Sequence, residues 1–169
     1  KAVQTMRSVT YVQPGQTFTC VGCHEPRSTT PPNAFPIASK REPSKITPGP
    51  EGAWPLDYHS LVQPVLQRQC VACHQPDGEC ATFDLTADKS YEALTNHGAP
   101  SLRTHVITRF RQSRSTVDGC ASAANPVLEL LEQGHYNVNL TANDKDSLIT
   151  WMDTYGHIQS LDMGLFADQ

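Results

Sequence analysis

Cys20-Val21-Gly22-Cys23-His24 and Cys70-Val71-Ala72-Cys73-His74 are two short stretches of one form, C-x-x-C-H. That form is the attachment pattern of a c-type haem. Two thiols bond to the porphyrin vinyl groups, and the adjacent imidazole reaches the iron. The two-residue gap sets both sulfurs on one side of a helical turn. The His follows where its ring can tuck beneath the macrocycle. A single C-x-x-C also suits a redox dithiol or half a zinc site. Here each pair carries an immediate His, and the pattern occurs twice. A four-thiolate zinc knuckle from Cys20, Cys23, Cys70 and Cys73 leaves both histidines unexplained, and its 46-residue gap exceeds zinc-ribbon spacing. The motifs therefore predict two covalently bound c-type haems, with His24 and His74 as proximal ligands.

A chain of 169 residues makes one domain or two small lobes sharing a core. Its hydrophobic content is 38%, and it holds 10 Gly and 13 Pro. That is thin for a self-sufficient core. Two haems correct it, because each inserts a large apolar plate, and the apo-chain is expected to fold poorly. Formal charge is −4, which propionates make more negative. No basic stripe or stacking platform points to nucleic acid. No apolar run approaches the ~20 residues of a membrane span. Covalent haem attachment takes place outside the cytoplasm, so a periplasmic or extracellular location is expected, with the export signal lying elsewhere.

Six cysteines less four thioethers leave Cys80 and Cys120. Two remaining thiols in an oxidising compartment predict a disulfide. It would close a loop of ~40 residues and contribute about 3–4 kcal/mol on the loop-entropy account. Two buried thiols are the alternative.

Residues 1–19 read as a lead-in with a turn at Pro14-Gly15. Residues 26–55 carry eight prolines, too many for a helix. Either they are a disordered linker, or they wrap the first haem with Phe35, Ile37, Ile46 and Trp54 as anchors. The anchor spacing favours the wrap. Asp57 is placed to cap a helix through Leu61, Val62, Val65 and Leu66, and Pro64 predicts a kink or late start within it. Residues 80–86 read as a loop or short strand, and 89–96 and 102–111 as weaker helices. Residues 112–124 read as an exposed loop pinned by Cys120. Asn125-Pro126 starts a helix with Val127, Leu128, Leu130 and Leu131 on its buried side, stopped by Gly134. Thr141-x-x-Asp144 forms a capping box ahead of the stripe Leu148, Ile149, Trp151, Met152 and Tyr155, ended by Gly156. The order helix, motif, loop, helix, ligand loop, helix is the small all-α cytochrome c plan. The fold expected is mainly α: a cytochrome c-like dihaem domain with a Pro-rich, largely irregular N-terminal lobe. Residues 1–56 form the first haem lobe and 57–169 the second, in one compact unit.

A second axial ligand sets the potential, and an open site would permit substrate chemistry. In cytochrome c folds that ligand lies in the loop between the last two helices. His135 occupies that loop, 61 residues after His74, and no Met does. His74 with His135 is the expected pair for the second haem, against a surface His capping the preceding helix. Only 45 residues separate His24 from Cys70, too few for a complete fold around the first haem. His59 is the only His in that interval and ranks first as its distal ligand. His157 ranks second, ahead of His105, His97 and Met6. An open first haem is the remaining alternative.

Several of these stretches together resemble a known arrangement. They are Tyr11-Val12-Gln13-Pro14-Gly15, Cys20–His24 with Glu25, Leu61-Val62-Gln63-Pro64-Val65-Leu66 before Cys70–His74, Gly134-His135, and Trp151-Met152-Asp153. The chain resembles, over residues 6–157, the dihaem C-terminal region of hydrazine-synthase α-subunit-like proteins. In that family the dihaem part follows a β-propeller, so the resemblance implies a fragment of a larger exported protein. It also implies bis-His ligation of the second haem. In hydrazine synthase proper, a Tyr four residues past the first motif His ligates the active haem. Ser28 stands at that position here, which speaks against hydrazine synthesis and for ordinary His24 ligation.

No acid–base or nucleophile set stands out, and no catalytic residue is expected. Asp57 and Asp84 read as cap and turn residues, and His97 and His105 as solvated. The function expected is electron transfer to a redox partner protein or a domain of the parent polypeptide. The alternatives are a small haem enzyme, with peroxidase or nitrogen-compound chemistry at an open first haem, and a docking domain using haem only as core.

Overall fold

The computed structural model describes residues 1–5, 11, 13–16, 28–30, 37–43, 45, 49–50, 56–112, 116–117 and 119–158. The first motif, Cys20–His24, lies outside the described residues, as do Met6, Phe35, Ile46 and Trp54. The chain divides into two units, Met6–Pro48 and the remainder, Lys1–Thr5 with Gly49–Gln169. The sequence places a boundary at 56/57; the division falls after Pro48, and the first five residues go with the larger unit. The described residues are mainly helical and contain no strand.

In the smaller unit, Ile37–Lys40 forms one 3-10 turn. Ile37 was expected to anchor a wrap, but it is 82% exposed. A turn this short cannot bury one face, so its apolar residue stays in solvent.

The larger unit carries seven α-helices among its described residues. The first helical pattern is split in two, α1 (Tyr58–Leu61) and α2 (Gln63–Gln69). Asp57 caps α1 by accepting from the Ser60 amide at 2.7 Å. Pro64 lies in the first turn of α2, where its missing N–H leaves no intrahelical bond unmade. This is the late start expected there. Tyr58, Leu61, Val62, Val65 and Leu66 are all buried, so the two pieces still present one continuous apolar face.

Residues 71–89 are turns, with no strand at 80–86. Then come α3 (Ser90–Asn96) and α4 (Leu102–Arg111), the latter capped by Ser101. The expected exposed loop at 112–124 is corrected at its end. Ala121–Ala124 is a short helix, α5, and Cys120, Ala121 and Ser122 are buried. Asp153 explains this, accepting from the Ser122 amide at 2.9 Å and the Ser122 hydroxyl at 2.8 Å. Small side chains let α5 lie close to the last helix.

Asn125 caps α6 (Pro126–Gln133), and Gly134 follows at φ +103. Thr141 and Asp144 form the predicted reciprocal box ahead of α7 (Ala142–Asp153). Trp151, Met152 and Leu148 are buried against α1, α2 and α4 residues in one core. The helix ends at Asp153 rather than running on to Gly156. Tyr155 already takes a left-handed φ of +71. The Arg68 guanidinium donates to Asp144 at 2.6 Å, which ties α2 to the start of α7. The N-terminal residues are tied to the other end of α7: the Ala2 amide donates to Asp153 at 2.8 Å. No helix among the described residues is long and apolar enough to cross a membrane.

Candidate cofactor site

The second motif continues from the C-terminal end of α2. The amides of Cys73 and His74 both donate to the Cys70 carbonyl, at 3.2 and 3.0 Å. The five residues therefore make the helical turn that the two-residue gap predicts. The following segment folds back onto it: the Cys80 amide donates to the Cys73 carbonyl at 2.9 Å, and the Leu85 amide to the His74 carbonyl at 2.9 Å. Gly78 makes that return possible. A Cβ there would stand 2.3 Å from the Cys73 carbonyl oxygen.

A cavity of about 670 Å³ opens against this turn. That is within the ~300–1,000 Å³ range of cofactor pockets. Cys70, Cys73, His74 and His135 all line it, and Leu66, Leu94, Leu148 and Met152 supply apolar wall. Burial first, and the neighbouring Cys73 second, push the Cys70 thiol up to about 11.

His74 is oriented from behind. Its Nδ1 donates to the Phe83 carbonyl at 3.1 Å. That bond fixes the tautomer and leaves Nε2 with its lone pair available. The orienting carbonyl lies nine residues downstream, and nothing in the sequence marks it.

His135 lines the same cavity. Its ring centre is 6.1 Å from that of His74, and the two planes differ by 25°. Two metal–imidazole bonds of about 2 Å, plus ~1.1 Å from each ring centre to its edge nitrogen, span about 6.2 Å. Gly134 at φ +103 and Tyr136 at φ +47 turn the chain sharply on either side of this His. Tyr136 is 89% exposed at the cavity rim, its ring edge-on to His135 at 4.9 Å. The residues fit a c-type haem: two cysteines in helical register, two imidazoles whose centres are spaced as one iron between them would require, and apolar walls. Among the described residues no three His, Cys, Asp or Glu side chains converge as a metal cluster. A porphyrin supplies four nitrogens itself and asks the protein for only two.

Other predicted residues are placed elsewhere. Cys80 lines the cavity and Cys120 is buried ahead of α5. No disulfide joins them, contrary to expectation. The fold-back at Gly78 holds Cys80 beside the motif, while the Ser122–Asp153 bonds hold the Cys120 end against α7. His157 was second choice for the first haem, but both its ring nitrogens meet backbone carbonyls, of Thr154 and of Leu56. Its own carbonyl accepts from Trp151 Nε1 at 2.9 Å. It is a structural residue. His59 is exposed on α1, its ring 5.8 Å from Tyr58. His105 Nε2 donates to the Gly119 carbonyl at 3.1 Å. His97 is exposed, with its ring 4.7 Å from Phe83 at the cavity wall. Ser28 is exposed. Asp57 is the cap expected, and Asp84 holds a turn by accepting from the Thr86 amide at 2.9 Å.

Comparison of the chain with protein-family models, with curated proteins and with solved structures finds no match.

Proposed function

We propose that the chain is a dihaem c-type cytochrome module that carries electrons outside the cytosol. The second haem would be bonded through Cys70 and Cys73, with His74 and His135 on its iron. The observation that carries this reading is that His74 and His135, with ring centres 6.1 Å apart, line one cavity together with both motif cysteines. Bound there, the haem supplies a one-electron iron couple. The chain's own residues do the rest. Phe83 holds the His74 ring in its ligating orientation. Leu66, Leu94, Leu148 and Met152 exclude water. With both imidazoles as its ligands the iron would be left without a site for substrate, which favours electron transfer over substrate chemistry.

The first haem rests on its motif alone: Cys20 and Cys23 for attachment and His24 as proximal ligand. The resemblance to hydrazine-synthase α-subunit-like dihaem regions supports the same dihaem reading. It also favours a redox partner that is either a separate protein or another domain of the parent polypeptide.

The test is expression in a host competent for c-type maturation with export. The expected product has the mass of the chain plus two haems and, when reduced, two low-spin six-coordinate spectra. A mass equal to the bare chain would overturn the reading. A five-coordinate haem that binds CO at one per molecule would replace electron transfer with an enzyme at the first haem.

A further inference from the structure

The second haem motif makes no use of Cys80, and Cys120 is buried ahead of α5. The cysteine that the fold sets beside Cys80 is Cys73. After the motif the chain turns, the Gly78 amide donating to the Gln75 carbonyl at 2.9 Å. The Cys80 amide then donates to the Cys73 carbonyl, also at 2.9 Å. Backbone bond lengths cap the Cα separation of two residues joined in this way at about 7 Å, and the fixed angle at the carbonyl carbon brings it lower. Disulfides bridge Cα separations of about 4.4–6.8 Å. Cys73 is exposed and Cys80 half-buried, and both line the one cavity.

Six residues separate the two cysteines, so closing a ring between them costs little chain entropy. The bridge would run alongside a backbone hydrogen bond that is already made. The competing pair is Cys70 with Cys73. Cys70 is half-buried at the end of α2, between the buried Leu66 and Val71. A bridge there closes across the turn in which the Cys73 and His74 amides donate to the Cys70 carbonyl. The pairing of Cys73 with Cys80 leaves that turn as it stands, and Cys73 is the more open of the two motif thiols to an incoming disulfide.

We propose that Cys73 and Cys80 form a disulfide in the chain before haem attachment, and that this pair gates loading of the second haem. The gate rests on the haem reading above, in which Cys73 supplies a thioether sulfur; the disulfide itself does not. The two thiols give up two protons and two electrons to a small disulfide such as oxidised glutathione, which leaves as two thiols. Thioether formation adds a thiol S–H across a vinyl double bond. A sulfur held in a disulfide has no hydrogen to add. The second motif can then use both its cysteines only where the surroundings reduce the pair. Once Cys73 is committed to a thioether, Cys80 has lost this partner and stays a thiol.

The experiment equilibrates the full chain, made without haem, in oxidised glutathione, blocks free thiols with iodoacetamide and maps the peptides by mass. Cleavage after Arg68, Glu79 and Lys89 puts Cys70 and Cys73 on one peptide and Cys80 on the next. The expected product is those two peptides linked through Cys73, with Cys70 alkylated; Cys70→Ser should keep the link and Cys73→Ser lose it. A Cys70–Cys73 bridge, a bridge from Cys80 to Cys120, or three alkylated cysteines overturns the site. Haem loading tests the gate. In a maturation-competent host supplied with oxidised glutathione, wild type should attach the second haem several-fold less than Cys80→Ser, and Cys80→Ala repeats the readout if the serine variant fails to fold. Equal loading overturns the gate. If no variant takes up haem under reducing conditions, the electron-transfer reading fails, while the disulfide is still read from the peptide map.

Discussion

Replacing His135 with Ala perturbs one side of the proposed axial pair and nothing else of note. The two rings stand 6.1 Å apart at 25°, and a span of about 6.2 Å admits one iron between two imidazoles bonded at about 2 Å. Truncation at Cβ removes one nitrogen donor. The loop itself is held by groups that remain: the His135 carbonyl still accepts from the Val138 amide at 3.0 Å, and Gly134 keeps its φ of +103. His74 stays fixed by the Phe83 carbonyl. The expected result is therefore local. One haem of the two passes from low-spin six-coordinate to high-spin five-coordinate, so the low-spin signal falls by roughly half. CO then binds at one equivalent per molecule. Electron paramagnetic resonance of the oxidised protein and absorption spectra of the reduced protein read both quantities. His97→Ala is the control, because His97 lies at the cavity wall against Phe83 rather than opposite His74. It should leave both spin states unchanged. If His135→Ala leaves both haems low-spin, or if His97→Ala gives the change instead, the axial assignment is wrong.

Gly78→Ala should destabilise the protein by about 1–3 kcal/mol, because its Cβ would meet the Cys73 carbonyl at 2.3 Å; urea denaturation measures it, and a wild-type midpoint would refute the contact. Thr141→Ala removes one arm of the capping box and should cost about 1 kcal/mol, read as a lower thermal midpoint with unchanged haem spectra. Asp144 gives a pH dependence. Burial pushes its carboxyl up, but the Thr141 hydroxyl and amide and the Arg68 guanidinium outweigh it and hold the group below the usual range. A depressed native value means stability present above the unfolded value of about 4 and lost as pH falls through the lower native one. Wild type should therefore lose stability on acidification below about pH 4. Asp144→Asn should start less stable at neutral pH and lose less over that window, and equal slopes would sink the argument.

The helices were legible where a local rule decided them. Asp57, Asn125-Pro126 and Thr141-x-x-Asp144 are caps that act within four residues, and each holds its helix as read. Pro64 marked the break between α1 and α2 for the same local reason. Several of the misses are long-range. Ala121–Ala124 looked like an exposed loop because its partner, Asp153, is 31 residues away. The Cys80–Cys120 bridge was inferred from compartment and counting, with no geometry behind it, and the fold holds the two residues at different elements. His157 read as a possible ligand because a sequence shows an imidazole but not the carbonyls of Leu56 and Thr154 that engage it. In the candidate site, Cys70, Cys73 and His74 are legible from their motif and His135 from its place in the loop before the last helix. Phe83 and Gly78 are not, because one acts through its carbonyl and the other through lacking a side chain.

One discrepancy in α6 bears on the proposed cofactor more than on the helix. Val127, Leu128, Leu130 and Leu131 make one apolar set by spacing, yet only Leu128 is buried, and Leu130 is 43% exposed. A helix whose apolar stripe exceeds what the polypeptide covers is short of a partner on that side. Val127, Leu130 and Leu131 all border the cavity that His74 and His135 face. On the proposed reading a porphyrin plate would cover these three. The same reasoning accounts for a hydrophobic content of 38% in a chain with 23 Gly and Pro residues, since part of the core would be porphyrin rather than side chain. It follows that polar substitution at Leu131, which lines the cavity, should weaken haem retention and fold stability together. At Leu128, buried within the polypeptide, it should weaken the fold whether or not haem is attached.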